Sequence, residues 1–323
     1  MGLFVCVFFL SLVDCTSSVL FLPYMGLFRQ IYLNSYLIGE GMSGFVPAVA
    51  ALAQGVSGNP VCTNVTLDNG TVALQPVGGE PRFSTSQFFL FLLAMMILSL
   101  VAFLLLQHLP TCRVERSTSS PSSAKFSEVL QHSGGEQDSL EQELPSPPRY
   151  SRALLLTIQA SVCFLSNGAL PSIQSYSCLP YGNAVYHLAV TLNAMANPLM
   201  AFLAFFLPCR RQTVALTLGA LACLLTSFPL ATALASPSML LGQGLGGGLT
   251  VLTWIVTGAL FSYTKVSVAG MCRDAGWLFE CGVVTQAGSA GGALLMFVLV
   301  NQVSSTFRLV IIWFGIFAKS KTT

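Results

Sequence analysis

Eight apolar stretches, each about long enough to cross a lipid bilayer as a helix, dominate this chain. They run from about Leu3 to Leu22, Tyr36 to Val56, Phe88 to Gln107, Ala153 to Ile173, Val185 to Leu207, Thr213 to Ala235, Gly242 to Tyr263 and Cys281 to Val300. Lipid offers no hydrogen bonds, so each stretch must satisfy its backbone internally and reads as an α-helix. The expected fold class is an all-α polytopic membrane protein with about eight transmembrane helices. Composition agrees: 54% hydrophobic and 8% charged residues, with a mean hydropathy of +0.73, leave too little polar surface to cover a water-soluble domain. A net charge of +2 speaks against the basic footprint of a nucleic-acid binder. Met1 to Val13 lacks the basic leader of a cleavable signal and reads as part of the first span.

The connections set the orientation, because Lys and Arg collect in cytoplasmic loops. If the first span runs inward, only Arg82, Arg308, Lys319 and Lys321 fall outside, four against ten. Two N-glycosylation sequons, at Asn64 and Asn69, sit together in the 57–87 loop, which this orientation places outside. On the opposite face the 109–152 segment is rich in Ser, Pro and Glu, too polar to pack a core. The expected organisation is a first helical group over 1–108, a disordered cytoplasmic linker over 109–152, and a second helical group of five spans over 153–303. A tail of different character occupies 304–323.

Ionisable groups inside lipid are costly and mark functional or paired positions. Asp14 and Glu40 are the acidic candidates, and both also read as interfacial; Lys265 and Glu280 flank an inner loop and read as snorkelling groups. Neutral amides are more informative. Asn167 and Gln174 lie two helical turns apart on one face, Asn193 and Asn197 one turn apart, and Gln286 and Ser289 three residues apart. Such amides either glue helices together or line a cavity for a polar, uncharged ligand. Pro171 and Pro198 place helix breakers beside them, a feature of transporter sites.

Glycines give a second pattern. Gly242, Gly244 and Gly247 match a dinucleotide-binding spacing, yet no strand precedes them. Gly244 with Gly248, and Gly288 with Gly292, read instead as close-packing pairs. The ten cysteines lie mostly inside apolar runs, without metal-site spacing, and His108, His132 and His187 fall in separate regions. No catalytic set, metal site or cofactor is expected, and the oligomeric state is not readable.

Several motifs carry a family resemblance. The run from Asn167-Gly168-Ala169-Leu170-Pro171 through Gln174, Tyr176 and Cys178 to Tyr181-Gly182 is one, followed by Tyr186-His187 and Asn197-Pro198-Leu199. Others are Cys15-Thr16-Ser17-Ser18, Gly39-Glu40-Gly41-Met42-Ser43-Gly44, Phe261-Ser262-Tyr263 and Gln286-Ala287-Gly288-Ser289. Together they resemble the animal riboflavin transporters, solute carrier family 52, in order and up to about Arg308.

That resemblance implies facilitative uptake of riboflavin across the plasma membrane, without sodium coupling, by alternating access in an eleven-helix bundle. The partners it implies are riboflavin and the bilayer. The eight spans would be the last eight of the eleven, so the chain reads as N-terminally truncated, with part of its site expected to be missing and transport in doubt. From their facing and the helix breaks, substrate contacts are expected at Asn167, Gln174, Asn193, Asn197 and Gln286, with Tyr176 or Tyr181 near the outer end. The resemblance implies a tail ending near a cysteine able to meet Cys178, and this tail has none; a Cys62–Cys178 bridge is an open alternative. Two other readings compete: a receptor of the G-protein-coupled type, which lacks here its acidic-Arg-aromatic triplet and the tyrosine after Asn-Pro, and a non-transporting isoform.

Overall fold

The computed structural model describes residues 2–55, 61–66, 72–77, 81–110, 112, 150–236 and 238–320. For residues 3, 7, 14 and 15, for both strands, and for the helix beyond Asn301, it describes the backbone alone. The expectation placed on the Asp14 side chain, and most of the 109–152 linker, therefore lie outside the described residues.

The elements are α1 (Gly2–Gly26), α2 (Gln30–Gln54), β1 (Val61–Thr66), β2 (Val72–Val77), α3 (Thr85–His108), α4 (Arg152–Cys163), α5 (Leu170–Cys178) and α6 (Asn183–Phe206). They continue as α7 (Gln212–Leu225), α8 (Ser227–Ala235), α9 (Gln243–Asp274) and α10 (Leu278–Ser320). A π-helical turn, Phe164–Ala169, fuses α4 to α5, so that Arg152–Tyr181 is one span; α7 and α8 together form another. Eight spans have the length and apolarity to cross a membrane, and the chain is a polytopic helical membrane protein.

The outer loop adds an antiparallel hairpin, pairing Val61 with Val77 and Thr66 with Val72, to the expected helical membrane fold. Two expectations are corrected here. Helix α9 does not end near Tyr263 but runs to Asp274, which places Lys265 inside a span rather than in a loop. Helix α2 begins at Gln30, so Glu40 lies almost three turns from its end. The backbone of the tail continues the last span, since α10 runs unbroken from Leu278 to Ser320.

Local chemistry explains the ends. Ser84 and Gln87 form a reciprocal capping box that starts α3. Gly55, at φ 84°, and Gly276, at φ 77°, supply left-handed residues after α2 and in the turn between α9 and α10. Within the spans, Thr250, Thr264, Thr285 and Ser289 return their hydroxyls to carbonyls one turn back. That removes the cost of an unpaired hydroxyl in an apolar surround.

Helix α9 runs through the middle, packed on α6 and α7, while α2 packs on α6 and α10 on α1, α4 and the π turn. The main core combines Leu155, Val162, Trp254, Phe261 and Val268. Helix α3 touches α2 lightly and buries none of its residues, as befits a helix whose whole surface is apolar. The expected pair Gly288 and Gly292 does bring helices together, against the backbone of Ala160 and of Phe164 and Gly168. Gly244 and Gly248 do not, since a Cβ at either would meet nothing within 4 Å; their neighbours Gly246 and Gly247 pack instead on Tyr181 and Val185.

Glu280 is not a free snorkelling group. Arg152 grips it with both Nε, at 2.6 Å, and Nη2, tying the start of α4 to the start of α10. The pair is well exposed, at 57% and 33%. Arg152→Ala is therefore expected to lower the thermal midpoint of the solubilised protein by no more than about two degrees, since exposed pairs contribute about 0–1 kcal/mol. A drop of ten degrees in a melting curve would show that the bridge holds the bundle together.

Candidate functional site

Between α1 and α2 on one side and α4, α6, α9 and α10 on the other lies a cavity of about 590 Å³. Its wall combines Ser17 and Ser18, Tyr36 and Glu40, Gln159 and Asn167, Asn197, Lys265, and Thr285, Gln286 and Ser289. A second chamber of about 70 Å³ adjoins it, lined by Gln174, Asn193, Trp254, Gly258 and Phe261. Asn167, Asn197 and Lys265 border both, so these three form the throat between the chambers.

The helix irregularities position the throat. Pro171 cannot donate to the carbonyl four residues before it, and the chain answers with the π turn rather than a break. This corrects the expected broken helix. The same turn brings Gly168 against Gly292, so no side chain separates α10 from the Asn167 backbone. Pro198 sits inside an unbroken α6. There the Asn197 carbonyl accepts from Ser262 Oγ at 3.0 Å, and Gly41 of α2 approaches the Pro198 backbone so closely that a Cβ would lie 2.8 Å from its nitrogen.

Two amides are held by one device. Ser289 gives its hydroxyl hydrogen to the Thr285 carbonyl at 2.8 Å, leaving lone pairs for Asn167 Nδ2 at 3.2 Å. Thr285 does the same one turn earlier: it donates to the Cys281 carbonyl at 2.7 Å and accepts from Gln159 Nε2 at 2.9 Å. Each amide therefore turns its oxygen away from α10. Asn167 Oδ1 accepts from Ser166 Oγ at 3.1 Å and from Lys265 Nζ at 3.4 Å. Asn193 Oδ1 rests on Gly258, and among the described residues it has no hydrogen-bond partner.

Most of the residues expected from sequence come together. Asn167, Gln174, Asn193 and Asn197 line the small chamber, and Gln286 lines the large cavity. Tyr176 does not join them: it is 44% exposed and borders neither chamber. Tyr181 is buried beside Gly246. Cys178 is fully buried with a free thiol, while the side chain of Cys62 is not among those described. Asn64 falls on β1, and Asn69 lies outside the described residues.

Two wall residues escaped the sequence reading, while Glu40, an acidic candidate also read as interfacial, lines the large cavity. Lys265, taken as snorkelling, sits at the throat. Gln159 was passed over altogether, although it stands eight residues before Asn167, about two turns, and so shares its face.

Residues 1–308 match the family model described as solute carrier family 52, riboflavin transporter. The chain belongs to that family. Among family 52 proteins, riboflavin transporter 2 of Salmo salar is 40% identical over 93% of this chain and 73% of its own length. Member 3-B of Danio rerio is 39% identical over 91% and 72%, and member 3 of Homo sapiens 38% over 91% and 72%. No solved structure matches this family 52 chain.

Proposed function

We propose that this protein carries riboflavin into the cell across the plasma membrane, by facilitative alternating access, with no covalent step and no cofactor. The hairpin loop bearing Asn64 and Asn69 faces outward and the 109–152 linker faces the cytoplasm. Helices before the linker and helices after it act as the two rocking groups. The observation that carries the reading is the amide-lined cavity between those groups, in a chain whose relatives are named riboflavin transporters.

The chemistry supports a flavin. Its ring is flat and apolar, with polar edges along the pyrimidine, and its ribityl chain carries several hydroxyls. A wall of amides and hydroxyls interrupted by Trp254, Phe261 and Leu22 offers both kinds of contact. Asn167, Gln174, Asn193, Asn197 and Gln286 supply the polar contacts. Tyr176, exposed on the outer part of its span, serves at most on the approach to the site.

Uptake of radiolabelled riboflavin, normalised to surface protein, tests the assignment. Asn167→Ala and Gln174→Ala are each expected to weaken apparent affinity by about two- to tenfold, the value of one neutral hydrogen bond. Unchanged affinity in both variants would refute the proposed wall, and no uptake by the parent chain would refute the transport reading.

A further inference from the structure

We propose that Gln159 is a specificity-determining contact of this transporter, receiving the imide N3–H of the flavin ring on its side-chain oxygen; this rests on the riboflavin reading above. Gln159 lines the large cavity yet is only 4% exposed. Its Oε1 is buried and has no hydrogen-bond partner among the described residues. A buried carbonyl left unpaired is costly; Oε1 has no open surface in this state, so the wall must shift slightly as the ring seats, and the ring then supplies the missing donor.

The orientation of this amide is fixed. Because Thr285 Oγ1 spends its only hydrogen on the Cys281 carbonyl at 2.7 Å, it can meet Gln159 solely as an acceptor. Gln159 Nε2 must therefore point to Thr285, at 2.9 Å, and Oε1 must point away from it. Rotating the amide by half a turn would set two acceptors against each other. In this arrangement the site presents an acceptor rather than a donor.

A fixed acceptor discriminates among ligand groups. Ribityl hydroxyls rotate and serve as donor or acceptor, so any polar wall satisfies them. The oxidised isoalloxazine ring has a single N–H, at N3, held rigidly between two carbonyls. Gln159 matches that one rigid donor, and Lys265, in the same cavity, is the cation available to a flanking carbonyl. An analogue lacking the N–H leaves Oε1 buried and unpaired, which is how hydrogen-bonding sites reject close mimics.

Quenching of flavin fluorescence by the full chain in lipid nanodiscs gives the required affinities for riboflavin and 3-methylriboflavin, in which a methyl group replaces the N3 hydrogen. The parent is expected to favour riboflavin by about tenfold. Gln159→Met, similar in volume but unable to accept, should bring the two ligands to within about twofold. Thr285→Val, which leaves Gln159 in place but frees its amide to turn, should narrow the ratio, and it decides the matter if the methionine variant fails to fold. A parent ratio near one, or a ratio unchanged in both variants, overturns the assignment of Gln159 while leaving riboflavin transport standing. Absence of riboflavin binding by the parent would overturn both.

Discussion

Gly168→Val is expected to cut surface-normalised riboflavin uptake at least about tenfold and to lower the melting midpoint of the solubilised protein by several degrees. A Cβ at position 168 would stand 2.6 Å from Gly292 Cα and 2.8 Å from Ala293 N. Both are backbone atoms, so no rotamer change relieves the overlap; α10 must move off the π turn. Overpacking of this kind costs about 1–3 kcal/mol even where side chains yield, and a rigid helix backbone places Gly168 at or above the upper end. Displacing α10 also pulls Ser289 from Asn167 and Thr285 from Gln159, because each amide is anchored across that seam. The control is Gly248→Val, where a Cβ meets nothing within 4 Å, and uptake should stay within about twofold of the parent. Parental uptake and melting in the Gly168 variant would mean that α10 and the π turn do not pack as described.

The contrast between these glycines shows what sequence can and cannot reveal. A small-xxx-small spacing marks a face on which close approach is allowed, but it does not say whether another helix lies opposite. Gly288 and Gly292 have such a neighbour, and Gly244 and Gly248 face open space. The eight spans were legible because about twenty apolar residues in a row have one stable solution in lipid. Their ends were not, since a charge near a span end reads as loop, and this misplaced Lys265 by hiding the last eleven residues of α9, from Thr264 to Asp274. Periodicity located Asn167 and Gln174, which do meet at one chamber. Tyr176, only two residues past Gln174, is turned about 200° around the helix and therefore looks outward. The hairpin was obscured by Pro76, which argues against a strand from sequence but is tolerated in a two-stranded edge.

Lys265→Met is expected to weaken riboflavin binding by about ten- to a hundredfold while leaving the melting midpoint unchanged or higher, and the opposite signs carry the argument. A lysine in the interior of a spanning helix costs about 2.5–3.5 kcal/mol on insertion scales. Its partner Asn167 Oδ1, at 3.4 Å, is a neutral acceptor at the long end of hydrogen-bond range, so the contact offsets only part of that cost. The ammonium also shares the large cavity with Glu40 of α2, an exposed carboxylate that keeps its hydration when the cation is lost. Replacing Lys265 by methionine removes the desolvation cost and keeps the stem that packs along α9. Asn167 keeps its bond from Ser166 Oγ at 3.1 Å, so the throat need not rearrange. What disappears is the cation at the junction of the chambers, the strongest donor available to a flavin carbonyl, where charge-assisted bonds contribute about 1.5–3 kcal/mol. A lysine that only braced α9 against the π turn would behave differently, because its loss would lower the melting midpoint and leave affinity intact. Titrating flavin fluorescence and recording a melting curve on the same preparation separates the two. A destabilised variant with parental affinity would remove Lys265 from the site and return it to a structural role.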